Sequence, residues 1–164
     1  ADDTKLGAIV FWTFGNLGST NWRELLILGL VLAAALCYFL FNRWNYNAME
    51  SGADTARSLG VNTRAVMLVS MGICSLLSAV AVSFVGIISF VGLVAPHIMR
   101  RFVGSDYRYL VPSSAVAGAL LLILADTFGR SVMAPVVLPI GALTSFLGAP
   151  MFLFLLFKGG KRHG

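Results

Sequence analysis

Long apolar runs recur along this sequence, and they constrain its fold more than any other feature. The first run is WRELLILGLVLAAALCYFLF, residues 22–41, and about 20 apolar residues are what a transmembrane helix needs. Comparable stretches follow it, the third of them broken by glycine and proline. We therefore predict an all-α fold, a polytopic transmembrane helical bundle of about five spans. The predicted spans are residues 22–41, 64–85, 86–103, 110–132 and 140–157.

The composition agrees with a membrane location. Charged residues make up 12% of the chain and hydrophobic residues 58%, whereas a soluble domain is about 25% charged. The net charge of +5 does not indicate nucleic-acid binding, because the basic residues are spread over short loops as in membrane proteins. Cys37 and Cys74 lie inside apolar spans, where we predict small core residues and neither a disulfide nor a metal site.

The longest polar interruption is NYNAMESGADTARSLGVN, residues 45–62. Ser51 is predicted to cap a short helix there, with Asp54 completing a near capping box and Gly60 ending the helix. A loop that only joined two spans could be much shorter. We therefore predict a docking element for a soluble partner, and an ordinary solvated loop with some helix in it is the alternative.

One face of that short helix is predicted to be the docking face. Three residues spaced three apart, Ala53, Ala56 and Leu59, would lie on it together. The face is built mainly from small side chains, so another surface could approach it closely.

The third apolar stretch contains GIISFVGLVAPHIM, residues 86–99. Pro96 lies in its interior, so the helix must kink or begin late. Broken helices at membrane depth are tolerated where they line a cavity or pack on protein. We predict that this segment lines a pathway; a proline kink used only for packing is the alternative. His97 could touch a substrate there, with a structural histidine as the alternative.

The remaining segments support the same bundle. Residues 1–21 form a mixed segment predicted to face outward, and its apolar part, 8–17, is too short to span. Asn21 is predicted to cap the first span, and Asn62 or Thr63 the second. The fourth span carries small residues that favour close helix packing in lipid, namely Ser113, Ser114, Ala115, Ala117, Gly118 and Ala119.

The basic residues predict the orientation in the membrane. Nine of the twelve fall on one side of the predicted spans and three on the other, and the richer side is normally cytoplasmic. Residues 45–62 and the C-terminus are therefore predicted to be cytoplasmic, and the N-terminus and the 133–139 turn to face outward. The richer set is Arg43, Arg57, Arg64, Arg100, Arg101, Arg108, Lys158, Lys161 and Arg162, and the poorer set is Lys5, Arg23 and Arg130.

Asp126 and Arg130 are the charges of interest within the fourth span. Their order, acid four residues before base, favours a pair on a helix. They lie toward its outer end, where a local salt bridge contributes little. Two interpretations remain: a local interfacial pair, or an outward-facing arginine available to an acidic partner.

The sequence shows no motif for covalent chemistry. It contains no P-loop lysine motif, no metal-spaced His or Cys cluster, and no nucleophile–base arrangement. We predict that the chain is not an enzyme, with no catalytic residue, no metal ligand and no directly bound cofactor.

Several motifs in order resemble one family. ADTARSLGV, then GIISFVGLVAPHIMRRFVGSDYRYLVPSSAVAGALLLILADTFGR, then LPIGALTSFLGAPMFLFLL are similar to permeases of the FecCD type. These are the membrane subunits of ATP-binding-cassette importers for iron–siderophores, haem and cobalamin in the cytoplasmic membrane of bacteria and archaea. The resemblance covers residue 42 to the C-terminus, and more weakly FWTFGNLGSTNW. The family permease has about twice this length and ten spans, so the chain resembles its C-terminal half. Its start at Ala1 rather than Met also suggests a fragment or a processed piece.

The resemblance implies partners and site residues. The polar loop would fold into short coupling helices on a cytoplasmic ATPase subunit that binds the ATP. The broken helix would line the pathway at the centre of a permease homodimer or of paired permease halves. Arg130 would pair with a carboxylate of a periplasmic or lipoprotein substrate-binding protein. The implied coupling residues are Ser51, Gly52, Ala53, Asp54, Ala56, Arg57, Leu59 and Gly60, and the implied pathway residues are Ser89, Phe90, Gly92, Pro96 and His97.

Two other function classes fit the sequence. Half of a secondary transporter or channel would use Asp126 and Arg130 as an intramembrane pair and would respond to ion gradients without ATP. A structural membrane subunit would have a fully packed or lipid-facing broken helix and no cavity. The cargo is not specified by any residue pattern.

Overall fold

A computed structural model describes residues 3–15, 17–132 and 140–159. Over these residues the chain is helical with short connections and contains no strand, which confirms the predicted all-α class. The predicted 133–139 turn lies outside the described residues, as does the part of the predicted basic tail, 158–163, that follows residue 159. The helices are α1 Asp3–Thr13, α2 Trp22–Phe41, α3 Arg43–Glu50, α4 Ala53–Ser58, α5 Thr63–Val85, α6 Val91–Val103, α7 Tyr107–Val132 and α8 Ile140–Gly159, with a 3-10 turn at Leu17–Ser19.

Three of the predicted spans are helices long and apolar enough to cross a membrane. These are α2, α5 and α7, and their observed ends lie within three residues of the prediction. The 20-residue α8 coincides with the predicted fifth span, residues 140–157, and ends two residues beyond it. By contrast, α6 has 13 residues and a length of roughly 20 Å, which is short of the hydrocarbon thickness. The third predicted span is therefore a non-helical entry followed by a short helix.

Local sequence signals account for the ends of the first two spans. Asn21 precedes α2, and its backbone N–H donates to Glu24 Oε2 over 3.0 Å. Asn62 precedes α5, and its side-chain Oδ1 accepts from Ala65 N over 3.1 Å. Each contact satisfies a backbone or side-chain group at a helix start, and both predicted caps are confirmed.

The tightest helix pair is α6 against α7, and small residues make it possible. A Cβ placed on Gly118 would lie 3.6 Å from Val91 Cγ1 and 3.7 Å from Ala95 Cβ, both on α6. Ala95 and Leu110 are buried at this contact region. Gly118, one of the small residues predicted on the fourth span, therefore packs against the broken helix.

Much apolar surface remains exposed on the isolated chain. Large apolar side chains project from α2, α5 and α7, as expected for helices that face lipid or further protein segments. Cys37 and Cys74 are free and both exposed. The prediction that they are core residues is wrong, because an apolar run specifies a lipid-compatible helix but not which of its faces meets protein.

At one end of the bundle, three glycines form a close backbone contact that we call the glycine junction: Gly15, Gly86 and Gly141. All three are buried, and a Cβ on Gly86 would lie 2.8 Å from Gly15 Cα. A Cβ on Gly141 would collide with two backbone carbonyl oxygens. The junction thus brings together the end of α1, the entry to α6 and the start of α8.

Hydrogen bonds complete the glycine junction. Gly141 N donates to Phe14 O over 2.8 Å, and Ile140 N donates to Gly15 O over 3.2 Å. These bonds satisfy N–H groups of the first turn of α8, which no intrahelical carbonyl can reach. Ile87 N donates to Thr13 O over 3.3 Å. The N–H groups of the non-helical backbone at this end of the bundle are therefore hydrogen-bonded to other parts of the protein, as buried backbone in a membrane protein must be.

The opposite end of the bundle collects basic residues. It is formed by α3, α4, the start of α5, the end of α6 and the start of α7, as contacts between α3 and the α6–α7 connection show. Six of the nine basic residues predicted to be cytoplasmic lie there: Arg43, Arg57, Arg64, Arg100, Arg101 and Arg108. The side chains of the other three lie outside the described part of the chain.

Candidate functional site

The polar interruption is two short helices rather than one helix in a loop. Helix α3 covers Arg43–Glu50 and α4 covers Ala53–Ser58. The predicted cap at Ser51 is wrong, because Ser51 ends α3, and Gly52 precedes α4 without a side-chain cap. Gly52 has φ +113°, a backbone conformation that other residues rarely adopt. The reversal between the two helices therefore depends on that glycine.

The predicted helix stop at Gly60 is confirmed. Gly60 has φ +83°, and its N–H donates to Arg57 O over 3.0 Å. The next N–H, that of Val61, donates to Ala56 O over 3.0 Å. This pair of bonds is the Schellman arrangement, in which a glycine in the left-handed region closes the helix C-terminus.

Burial divides the predicted coupling residues into two groups. Ala56 is 0% exposed, so the centre of the predicted small-sided face packs inside the chain and cannot meet a partner. Of the three residues predicted to share a docking face, Ala53 and Leu59 are exposed, whereas α4 turns Ala56 onto its own protein. We call the exposed set the α4 surface, and it consists of Ser51, Gly52, Ala53, Asp54, Arg57, Leu59 and Gly60.

The α4 surface is polar around one apolar side chain. Leu59 is 68% exposed, and Arg57 Nη1 lies 3.5 Å from Oδ1 of the fully exposed Asp54 side chain. An exposed pair at that distance contributes little to stability. The Arg57 guanidinium and the Asp54 carboxylate can therefore bind a partner with little loss of stability.

Helix α3 is bonded directly to the start of α7 by one side chain. Asn47 Nδ2 donates to Asp106 Oδ1 over 2.8 Å, and Asn47 Oδ1 accepts from Tyr107 N over 2.9 Å. Asp106 Oδ1 also accepts from Arg108 N over 3.0 Å. We call these contacts the Asn47 joint. Hydrogen bonds from Asn47 and from the Arg108 backbone lower the pKa of Asp106 below its ordinary value.

Further contacts hold α3 on three other helices. The Tyr46 ring lies 5.6 Å from the Tyr107 ring on α7, and its hydroxyl is hydrogen-bonded to Ser70 Oγ on α5. Burial raises the pKa of Tyr46, so this hydroxyl stays protonated. Glu50 Oε1 lies 3.8 Å from Arg100 Nη1 at the end of α6. Helix α3 therefore contacts the same end of α5, α6 and α7.

Nothing in the sequence pairs Asn47 with Asp106, which lies 59 residues further on. Asp106 follows a Gly-Ser turn and precedes an apolar helix, so its N-terminal position could have been recognised from the sequence. Its partner on α3 could not, because a single asparagine in a polar stretch carries no signal of a remote contact.

The entry to α6 contains an unusual backbone. Residues 86–89 are non-helical, and Phe90 has φ +66°, the only non-glycine residue with positive φ among those described. Such a conformation costs about 1–2 kcal/mol for an L-residue. The Phe90 side chain packs against Gly148 on α8, where an added Cβ would collide with it. The centroids of the Phe90 and Phe152 rings are 6.5 Å apart. The third apolar stretch is thus non-helical before α6 begins at Val91, and Pro96, predicted to kink the helix or delay its start, lies inside α6.

Two cavities flank α6, and the predicted pathway residues do not all line the same one. Gly92 and Pro96 line a cleft of about 920 Å³ between α2, α5, α6 and α7. Phe90 lines a cavity of about 80 Å³ between α6, α7 and α8. Ser89 and His97 line neither of these two, although His97 is exposed. The broken helix therefore presents one apolar face to a cleft large enough for a ligand or for further helices.

Asp126 and Arg130 form the predicted pair near the end of α7. Arg130 Nε lies 3.0 Å from Asp126 Oδ1 and 2.9 Å from Oδ2. The Arg130 side chain is 56% exposed and that of Asp126 27%. The local pair is therefore present, and it leaves most of the guanidinium on the surface.

The architecture defines a class of protein. Apolar helices of bilayer length, a non-helical entry to a short sixth helix, and a polar helical surface at one end are features of a multi-pass helical membrane transport protein. Comparisons with known proteins give the family. The FecCD transport family matches residues 1–158, and the chain belongs to that family.

The relatives are about twice as long as this chain. It is 57% identical over 162 residues to an ABC transporter permease protein of Methanocaldococcus jannaschii, covering 99% of this chain and 46% of the relative. It is 37% identical to the hemin transport system permease protein of Yersinia pestis, covering 96% and 47%. It is 36% identical to the vitamin B12 import system permease protein of Vibrio vulnificus, covering 99% and 49%. The chain therefore spans about half the length of these relatives.

A solved structure has the same fold. It is described as an inward-facing conformation of a metal-chelate type ABC transporter, and it is similar to this chain with a TM-score of 0.87 and 31% identity. The match covers 96% of this chain and 52% of that one. The helical bundle described above is thus that of an ABC transporter permease over half of its length.

Proposed function

We propose that this chain forms half of the membrane-spanning permease of a binding-protein-dependent ABC importer. The observation that carries the proposal is the match of nearly the whole chain to FecCD permeases, together with the polar α4 surface joined to the bundle through α3. The permease works as a homodimer or as paired halves in the cytoplasmic membrane. Its cargo is a metal chelate of the iron–siderophore, haem or cobalamin class.

The α4 surface is the proposed contact with a cytoplasmic ATPase subunit. It projects from the end of the bundle that collects basic residues, which is the end that normally lies in the cytoplasm. Leu59 provides an apolar contact, and Asp54 and Arg57 provide charges at the rim. When ATP closes the ATPase pair, the displacement enters the permease here. The ATP stays on the partner, and no covalent chemistry takes place on this chain.

The segment from Ser89 to His97 is the proposed pathway wall. Gly92 and Pro96 face the cleft of about 920 Å³, and the strained Phe90 lies at the turn into α6. Strained backbone is concentrated at sites that change conformation. Displacement of α6 relative to α8 would open the pathway alternately toward the binding protein and toward the cytoplasm.

Arg130 is the proposed contact for the substrate-binding protein. It lies two residues before the end of α7, at the end of the bundle opposite the α4 surface, and more than half of its side chain is exposed. The Asp126–Arg130 pair is about 3–9 Å from that end of the helix. This position suits an interface with a partner carboxylate better than the mid-membrane ion relay of a secondary transporter.

Reconstitution of the full-length permease tests the proposal. We expect uptake of haem, cobalamin or a ferric hydroxamate into proteoliposomes only when ATP, the ATPase and the binding protein are all present. Cysteines placed singly from Ser89 to Met99, in a protein whose Cys37 and Cys74 are replaced by serine, should react with a water-soluble thiol reagent on one helical face, and the pattern should change with nucleotide. Uptake driven by an ion gradient without ATP would refute the importer proposal.

A further inference from the structure

The contact between α3 and α7 has an unusual form. A helix start leaves four backbone N–H groups without intrahelical partners, and these are normally capped by the preceding residue or by water. At the start of α7, the Tyr107 N–H is instead capped by Asn47, a side chain from another helix 60 residues earlier. The Arg108 N–H is capped locally by Asp106. A span of the bundle is therefore capped in part by the helix that carries the α4 surface.

Asparagine suits this position chemically. Its amide donates through Nδ2 and accepts through Oδ1, and here it does both, toward Asp106 and Tyr107. The side chain is short, so the two bonds fix the distance between α3 and α7. The hydrogen bond to a charged carboxylate is also stronger than one between neutral groups.

The other contacts of α3 are less direct. Glu50 and Arg100 are 3.8 Å apart and substantially exposed, which makes their attraction weak. The Tyr46 and Tyr107 rings are 5.6 Å apart by centroids, and a contact between rings is less directional than a hydrogen bond. The Asn47 joint is thus the short, directional connection between α3 and the α6–α7 pair.

Displacement at Asp106 reaches α6 as well as α7. Only Gly104, Ser105 and Asp106 separate the two helices, and α6 packs closely on Gly118 of α7. A movement of Asp106 therefore shifts both helices at this end, and α6 carries the proposed pathway wall.

We propose that Asn47 and Asp106 form the joint that passes movement of the α4 surface to the α6–α7 pair. Both are positioning residues, because they act through the helices and touch neither cargo nor ATP. This proposal rests on the proposed function as an ATP-driven permease and assigns the residues through which its coupling runs.

Exchange of the two side chains tests the joint in the full-length permease assembled with its ATPase and binding protein. In Asn47→Asp, two carboxylates face each other and repel. In the double variant Asn47→Asp with Asp106→Asn, the new amide donates to the new carboxylate and the Tyr107 N–H keeps its acceptor. The Arg108 N–H loses its acceptor, because it bonds to the same Asp106 Oδ1 as Asn47 does. The measurement is cargo taken up per ATP hydrolysed by purified, assembled complexes in proteoliposomes.

We expect Asn47→Asp to lower this ratio on the order of tenfold while the ATPase remains bound, because a hydrogen bond to a charged carboxylate is lost and repulsion between two carboxylates replaces it. The exchanged double variant should recover part of it, because the bond between positions 47 and 106 is restored while that of the Arg108 N–H is not. Asn45→Ala is the matched control, since Asn45 lies on the same helix and, among the described residues, its side chain bonds to Asn42, three residues away. If Asn47→Asp does not accumulate, Asn47→Ala takes its place and should also lower the ratio.

The outcomes separate the two proposals. An unchanged ratio in assembled Asn47→Asp or Asn47→Ala complexes would overturn the joint, as would a double variant that stays as defective as Asn47→Asp. Reduced assembly with a normal ratio in the surviving complexes would show a purely structural role and would also overturn it. Failure of the wild-type protein to couple uptake to ATP would instead refute the proposed function.

Discussion

Truncation of Leu59 tests the α4 surface quantitatively. Leu59→Ala removes three carbons, and each is worth about 0.8 kcal/mol when fully buried. Because 68% of Leu59 is exposed in the isolated chain, docking can newly bury about two thirds of that area. The expected loss is therefore about 1.6 kcal/mol, or slightly more than a tenfold rise in the Kd for the ATPase. Titration of the purified ATPase against the full-length permease in nanodiscs measures it.

Two comparisons make the Leu59 result interpretable. Leu76→Ala changes an equally exposed leucine (61%) on the membrane-spanning α5, and it should leave the Kd unchanged. Ala56→Glu places a carboxylate at a position with 0% exposure, so it should destabilise α4 by about 3 kcal/mol or more, whereas Ala53→Glu at an exposed site should not. A Kd for Leu59→Ala within twofold of wild type would refute docking through this surface.

Three further predictions concern other parts of the bundle. Gly141→Ala should lower the stability of the detergent-solubilised permease by about 1–3 kcal/mol through overpacking at the glycine junction. A thermal melt measures this loss, and Gly72→Ala, which has open space around it, should not cause it. Equal melting points for the two variants would contradict the described packing. Arg130→Glu should reduce binding-protein affinity and uptake at near-normal membrane abundance, with partial rescue by an acid-to-arginine change on the binding protein; low abundance with normal docking would leave Arg130 a partner of Asp126 only. The pKa of Asp106 is lowered in the folded protein. The stabilisation from the Asp106 carboxylate is therefore complete above its ordinary pKa of 3.8 and is lost as the pH falls through its lower pKa in the folded protein. Asn47→Ala should raise the Asp106 pKa measured by carboxyl NMR, and an unchanged pKa would contradict the assigned cause.

The sequence by itself determined the helical membrane class, the ends of α2, α5, α7 and α8, and the C-terminal end of α4. These features depend on neighbours within a few residues along the chain: apolar runs, the caps at Asn21 and Asn62, and the stop at Gly60. Local physics of this kind is independent of the rest of the fold, and so the predicted boundaries hold within a few residues.

Only the tertiary structure decided which surfaces are free and which residues meet. Ala56 looked available from its spacing but is buried, and Cys37 and Cys74 looked buried but are exposed. Asn47 met Asp106 across 59 residues with no sequence signal. In an apolar membrane chain, hydrophobicity marks the lipid-facing side as strongly as the protein-facing side. The inward face of each helix is therefore set by the shape and spacing of its neighbours, which the order of residues along one helix does not contain.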